Sequence, residues 1–262
     1  MKRINVLMIV ALLVVVPILL APRISSAQAP QLLDHFKCWT VQDAQPAHDF
    51  VLLMDQFDRL PVPPQPPVAE QVFVGSPALF CNPTVKVLST GVVTPIRNPD
   101  HHLKMYLITT HPTPVRTVTV TNQFGANQPL IVYRPIFLAV PTQKDNHKEP
   151  VGLDHFKCYL TQGTPTTAAP PIVVLQDQFD KDKKEQVKIV RPVLLCNPTD
   201  KLHEDTITRI INEREHLVCY TFTPSTARQT RVSTRNQFGD EKFTATYSRL
   251  LCVPSLKTEQ PT

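Results

Sequence analysis

The chain has 262 residues with 27 basic and 22 acidic side chains, 27 prolines, 6 glycines and 6 cysteines, and a formal net charge of +5. Residues 1–27 hold Lys2, Arg3 and Arg23 and no acid, so the remainder carries 24 basic against 22 acidic groups, a net of +2. So weak a balance argues against a nucleic-acid or anionic-membrane surface. The absence of a Gly-rich phosphate loop and of a Gly-X-Ser-X-Gly elbow removes the commonest nucleotide-binding and serine-hydrolase readings.

Residues 1–27 read as an export signal. Lys2 and Arg3 form a positive start, residues 6–20 an apolar run, and Ser25-Ser26-Ala27 a small-residue cleavage site. The alternative, an uncleaved anchor, wants roughly 20 apolar residues, and this run is shorter and interrupted by Pro17. No other apolar run approaches a membrane span. The expected location is therefore periplasmic or extracellular.

Beyond the signal the chain repeats itself four times. Each copy opens on a His-apolar-X-Cys-aromatic segment: His35 to Trp39, His102 to Tyr106 with Met105 in the Cys position, His155 to Tyr159, and His216 to Tyr220. Next comes an Asx-Gln-Phe turn, at Asp55-Gln56-Phe57, Asn122-Gln123-Phe124, Asp177-Gln178-Phe179 and Asn236-Gln237-Phe238. Each copy then closes on an apolar strand ending in a Pro turn, at Cys81-Asn82-Pro83, Ala139-Val140-Pro141, Cys196-Asn197-Pro198 and Cys252-Val253-Pro254. A lysine follows each Pro at the same distance: Lys86, Lys144, Lys201 and Lys257. Copies one and three share Asp-Gln-Phe-Asp and Cys-Asn-Pro-Thr, whereas copies two and four share Asn-Gln-Phe-Gly and Val-Pro.

Alternation makes these units β. Val51, Leu53, Asp55 and Phe57 share one face, as do Val173, Leu175, Asp177 and Phe179, which is the pattern of a half-buried strand. Pro77, Pro135 and Pro192 belong on an edge or at a bulge. Proline-rich stretches at 61–67, 112–114 and 165–171 read as stiff loops, and the charged run 181–185 as a solvated turn. A helix over 206–217 is disfavoured by the prolines in its counterpart at 92–103. The expected fold is all-β: two tandem, disulfide-stapled sandwich or barrel domains, 28–148 and 149–262, each a pseudo-twofold pair of half-repeats.

Six cysteines allow 15 pairings, and the repeat selects one. Copies one, three and four hold a Cys in both the opening and the closing segment, and copy two has lost both together, with Met105 and Ala139 in their places. Pairing inside each half-repeat follows: Cys38–Cys81, Cys158–Cys196 and Cys219–Cys252. A metal–thiolate reading of His-X-X-Cys fails because residues i and i+3 of a strand point to opposite faces.

The candidate ligand-binding residues are His35, Lys37 and Trp39 with His155, Lys157 and Tyr159. If Phe36 and Cys38 face the core, this His–Lys–aromatic stripe faces outward, and aromatics beside hydrogen-bonding groups suit a sugar ring or a protein partner. The competing reading, favoured because all four copies share the pattern, puts the aromatic under a second layer and the His on a backbone carbonyl. The Asx residues read as turn caps, with Gly125 and Gly239 in left-handed positions and Asp58 and Asp180 as substitutes for them. Two carboxylates are too few for calcium, so no metal or cofactor is expected.

With Asp-His-Phe-Lys-Cys-Tyr, Asn-Gln-Phe-Gly and Leu-Leu-Cys-Val-Pro-Ser-Leu-Lys in view, residues 153–257 resemble an uncharacterised bacterial domain family of exported proteins, often found in tandem. Residues 32–144 depart from that pattern at Met105 and Ala139 and in the insertion at 61–67. The resemblance implies no activity. The expected role is a non-catalytic binding module for a glycan, envelope component or protein. The alternatives are a structural or adhesive envelope protein and, last, a hydrolase built on Asp34-His35 or Asp154-His155.

Overall fold

A computed structural model describes residues 33–59, 68–163 and 171–259. The expected signal at 1–27, the prolines at 61–67 and most of 165–171 lie outside the described residues. Copy one comprises β1 (Phe36–Gln42), β2 (Asp49–Asp55), a single helical turn α1 (Gln56–Arg59), β3 (Glu70–Pro83), β4 (Val85–Leu88) and β5 (Val93–Thr94). Copy two comprises β6 (Leu103–Thr109), β7 (Arg116–Asn122), β8 (Gly125–Pro141) and β9 (Gln143–Lys144). Copy three holds β10 (Phe156–Gly163), β11 (Ile172–Gln176), β12 (Glu185–His203) and β13 (Thr206–Thr208), and copy four β14 (His216–Thr223), β15 (Ala227–Asn236) and β16 (Gly239–Glu259). The stretch 206–217 holds no helix: β13 and a turn lead into β14.

Every opening strand is shared. β1 lies between β3 of its own copy and β16 of copy four. β6 lies between β8 and β3, β10 between β12 and β8, and β14 between β16 and β12. These eight antiparallel ladders close into an eight-stranded barrel, which leaves no free edge around the inner wall. The middle strands form a second layer outside it. β2, β7, β11 and β15 each form a hairpin with the first half of their own closing strand. Their other edges take the tail of the copy opposite: β2 pairs with β12, β11 with β4, β7 with β16 and β15 with β9.

The closing strands run from 14 to 21 residues, long enough to serve the outer hairpin first and the barrel afterwards. Where they pass between the two, the ladder to the next opening strand is bulged in all four copies. A bulge bends the strand and sharpens its twist. Pro77, Pro135 and Pro192 sit at these bulges, opposite Tyr106, Tyr159 and Tyr220, where a missing N–H breaks no ladder bond.

The expected division into domains 28–148 and 149–262 is corrected here. β8 and β10 pair across that boundary, β1 and β16 pair across the whole chain, and residues 31–262 form one compact unit. A pair of half-repeats alone would expose β1 and β8 as long open edges, and joining the two pairs covers both. The polar stretch at 145–151 marks a repeat boundary only.

Alternation gives each opening strand two buried faces. Phe36, Cys38, Leu103, Met105, Phe156, Cys158, Leu217 and Cys219 point into the barrel with Cys81, Ala139, Cys196 and Cys252. The disulfides join Cys38 to Cys81, Cys158 to Cys196 and Cys219 to Cys252. Each links two residues directly opposite in a ladder, and Met105 stands opposite Ala139 in the same register. The double substitution Met105→Cys/Ala139→Cys should therefore close a fourth disulfide. Thiol titration of the denatured protein should find no free thiol, and the unfolding free energy should rise by about 3 kcal/mol.

Candidate functional site

The His–Lys–aromatic stripe does face out of the barrel, but the second layer covers it. Trp39, Lys37 and Lys157 are 0 % exposed, Tyr159 is 2 % exposed, and His155 is buried. The outward ligand surface expected of His35, Lys37, Trp39, His155, Lys157 and Tyr159 is thus an internal layer. A period of two distinguishes the faces of a strand, but it does not say whether water or a second sheet lies beyond one of them.

Each aromatic packs edge-on against the Phe of the turn in the copy opposite. Trp39 meets Phe179 (centroids 5.6 Å apart), Tyr106 meets Phe238 (5.0 Å), Tyr159 meets Phe57 (5.1 Å) and Tyr220 meets Phe124 (5.1 Å). The Asx residues cap their own turns, each accepting a hydrogen bond from the backbone N–H of that Phe at 2.8–2.9 Å. Their remaining atoms explain the two flavours of copy. Asp177 accepts from Trp39 Nε1–H (2.6 Å) and Asn82 Nδ2–H (3.1 Å), and Asp55 accepts from Asn197 Nδ2–H (2.9 Å). In the other pair Asn122 donates to Tyr220 and Ser255, and Asn236 to Tyr106 and Thr142. Asp therefore faces Asn of the copy opposite, and Asn faces hydroxyls.

The histidines bond to glutamine side chains, and His102 also meets the backbone carbonyl of Asp100 through Nδ1 (3.0 Å), as the covered-aromatic reading had it. His35 Nε2 is hydrogen-bonded to Gln123 Oε1 (2.9 Å), His102 Nε2 to Gln178 (3.1 Å), His155 Nε2 to Gln237 (2.9 Å) and His216 Nε2 to Gln56 (3.2 Å). Copy one thus holds copy two, two holds three, three holds four, and four holds one. The lysines that follow the Pro turns join them: Lys201 Nζ donates to Gln237 Oε1 (2.5 Å), Lys144 donates to Gln178, and Lys86 Nζ lies 3.3 Å from His35 Nε2. Burial, with the nearby lysines adding to it, lowers the ring pKa to about 3 for His35 and His155 and about 4 for His102 and His216. Burial also lowers Lys86, Lys144 and Lys201 to about 8.

The opening-strand lysines reach acids in the covering layer of the copy opposite, and the glutamates among them were not singled out by spacing. Lys37 Nζ bonds both oxygens of Asp180 (2.9 and 2.8 Å) and contacts Glu185. Lys157 Nζ bonds Asp58 (3.3 and 3.1 Å) and Glu70 (2.5 Å), and Lys104 pairs with Glu241. Glu70, Glu185 and Glu241 occupy equivalent ladder positions, opposite Leu53, Leu175 and Thr234. Copy two has Gln128 there, opposite Val120, and copy four has Val218 where the others have lysine. Glutamate and its lysine are absent together.

Two expectations for the turn are corrected. Gly239 has a positive φ of 107°, but Gly125 does not, and a Cβ there would meet the side chain of Gln128. Asp58 and Asp180 are not left-handed either; they stand at their positions to face Lys157 and Lys37. The solvated turn expected at 181–185 holds for 181–184, whereas Glu185 is buried. Asp34 and Asp154, invoked in the hydrolase reading, accept backbone N–H bonds from Arg97 and Asn98 and from Ile211 and Asn212. Among the described residues, no three His, Cys, Asp or Glu side chains cluster as a metal site.

On the surface, Phe50 is 58 % exposed and stands opposite Phe73 in the β2–β3 ladder, with ring centroids 5.2 Å apart. His48 stacks on Phe73 at 6.1 Å, 28° from parallel. The equivalent pairs in the other copies are Thr117 and Ile131, Ile172 and Lys188, and Arg231 and Thr244, so the aromatic platform belongs to copy one alone.

Four rings held neutral make the fold acid-sensitive. The unfolded chain binds their protons below about pH 6.5 while the folded chain does so only near 3–4. Their contribution is complete above pH 6.5 and is lost as pH falls. Asp58 and Asp177, raised by burial to about 6, oppose this between pH 6 and 4, as does Asp154, which burial also raises, but the four rings outweigh them. Denaturant titrations should show unfolding free energy falling from pH 6.5 to 4, by about 1.4 kcal/mol per pH unit for each net proton taken up. Nitrogen NMR at pH 5 should still show the four rings neutral.

Neither a curated protein nor a solved structure matches the chain. One family does, over residues 102–254. That span opens on His102 and ends on Pro254, the first landmark of copy two and the last of copy four, and copy one carries the same landmarks. The chain belongs to the family described as "Repeat of unknown function (DUF7450)".

Proposed function

We propose that the protein is a non-catalytic, exported binding module that contacts a glycan, envelope component or protein through the Phe50–Phe73–His48 platform. The observation that carries this reading is the contrast between the two sets of aromatics. The motif aromatics are consumed by the second layer, whereas Phe50 is exposed against the half-buried Phe73 in one copy of four. Exposed aromatic faces bury well against sugar rings or apolar side chains. Export is supported by the signal-like residues 1–27 and by three disulfides, which persist in oxidising compartments. Among the described residues no helix is long and apolar enough to cross a membrane. A structural envelope role is the second reading, favoured by the closed, stapled barrel.

Phe50→Ala and Phe73→Ala should leave the unfolding midpoint nearly unchanged for the exposed Phe50 and weaken binding on a glycan array or to isolated envelope fractions at least tenfold. Trp39→Ala, in contrast, should cost about 3–5 kcal/mol of stability. Binding by the wild-type protein that both Phe variants retain would sink the platform, and absence of any binding would favour the structural role.

A further inference from the structure

Two of the buried lysine clusters contain the complete set of groups for an internal condensation. Lys157 Nζ is 0 % exposed and lies 3.3 and 3.1 Å from the two oxygens of Asp58, with Glu70 Oε2 at 2.5 Å. Lys37 Nζ, also 0 % exposed, lies 2.9 and 2.8 Å from the oxygens of Asp180, with Glu185 in contact. Amine and carboxyl are therefore held at the separation of a near-attack arrangement, where effective concentration replaces collision. In each cluster a backbone N–H already points at one oxygen of the carboxyl: Asp55 N–H to Asp58 Oδ2 (3.0 Å) and Asp177 N–H to Asp180 Oδ2 (2.9 Å). Aromatic rings wall both sites, with Lys37 4.6 Å from the Trp39 centroid and Lys157 5.7 Å from that of Tyr159.

We propose that Lys157 forms an isopeptide bond with Asp58 and Lys37 one with Asp180, each assisted by the adjacent glutamate, Glu70 or Glu185.

The ammonium first passes a proton through the glutamate to the aspartate, giving a neutral amine, the form able to attack, and a carboxylic acid. Burial and Asp55 beside it raise Asp58 to about 6, which eases its protonation, whereas at Lys157 burial is outweighed by the charges of Asp55, Asp58 and Glu70, which raise it, so this transfer is the uphill step. Nζ then attacks Cγ, a Nζ–Cγ bond forms, and the carbonyl electron pair moves onto Oδ2, where the backbone N–H holds it. On collapse the Cγ–Oδ1 bond breaks, the glutamate relays a proton from Nζ to the departing hydroxyl, and water leaves. Amine and acid become amide and water, with no change of oxidation state. The other two positions serve as internal controls. Lys104 has Glu241, but Gly239 stands where the aspartate would be, and the fourth position has Val218 and Gln128.

The test is the mass of the full-length protein after reduction and denaturation, with peptide mapping to make it independent of N-terminal processing. Each bond removes about 18 Da as water. The expected result is a deficit of about 36 Da and two branched peptides, joining Lys157 to Asp58 and Lys37 to Asp180. Glu70→Gln and Glu185→Gln should each lose one branched peptide and keep the other. Linear peptides of full sequence mass at both sites, in folded wild-type protein after prolonged incubation, would overturn the proposal. Both branched peptides surviving in the two Gln variants would overturn the role of the glutamates.

Discussion

The constraint on which everything else rests is that no opening strand can be satisfied by its own copy. β1 needs β16, β6 needs β3, β10 needs β8 and β14 needs β12. A row of buried, unpaired backbone groups costs more than a domain's net stability, so the four copies fold together or leave an edge open. Once the ring closes, the other contacts acquire their partners from geometry. Histidine reaches the glutamine of the next copy, whereas the aromatic and the lysine reach the copy opposite.

That arrangement places polar chemistry where hydrophobic residues usually go. Lys37, Lys104 and Lys157 lie between the two layers, and each is matched by carboxylates. Replacing one member would strand a buried charge, whereas the position holding Val218 and Gln128 shows that the whole set can be dispensed with. Buried ion pairs of this kind contribute little net stability, but they penalise every misregistered docking of one copy on another. The disulfides act more locally, each closing a single half-repeat inside the barrel.

Much of this was legible from residues alone. The four landmarks located the strands, the joint loss of two cysteines in copy two pointed to pairing within half-repeats, and the prolines marked the bulges. The Asx-Gln-Phe turn read correctly as a backbone cap. The diagonal relations were not legible, because they join residues 87 to 148 positions apart and nothing local announces them. Glu70, Glu185 and Glu241 escaped notice because loops of unequal length separate them from the turn, so they align in the ladder and not in the sequence. The signal available was their co-occurrence with lysine in the opening strand of the opposite copy. Phe50 and Phe73 escaped for the opposite reason: reading by repetition passes over what occurs once.

The two families of contact, neighbour to neighbour and across the diameter, have a consequence for how such chains can grow. Contacts between neighbours can be continued around a ring of any size, but a partner directly opposite exists only when the number of units is even. Asp faces Asn and Asn faces hydroxyl only when like copies sit across from one another. An inserted or deleted half-repeat would put each lysine opposite the wrong wall and leave a seam open. Lengthening by duplication is therefore quantised: the next viable size is another closed set of four, strung beside the first.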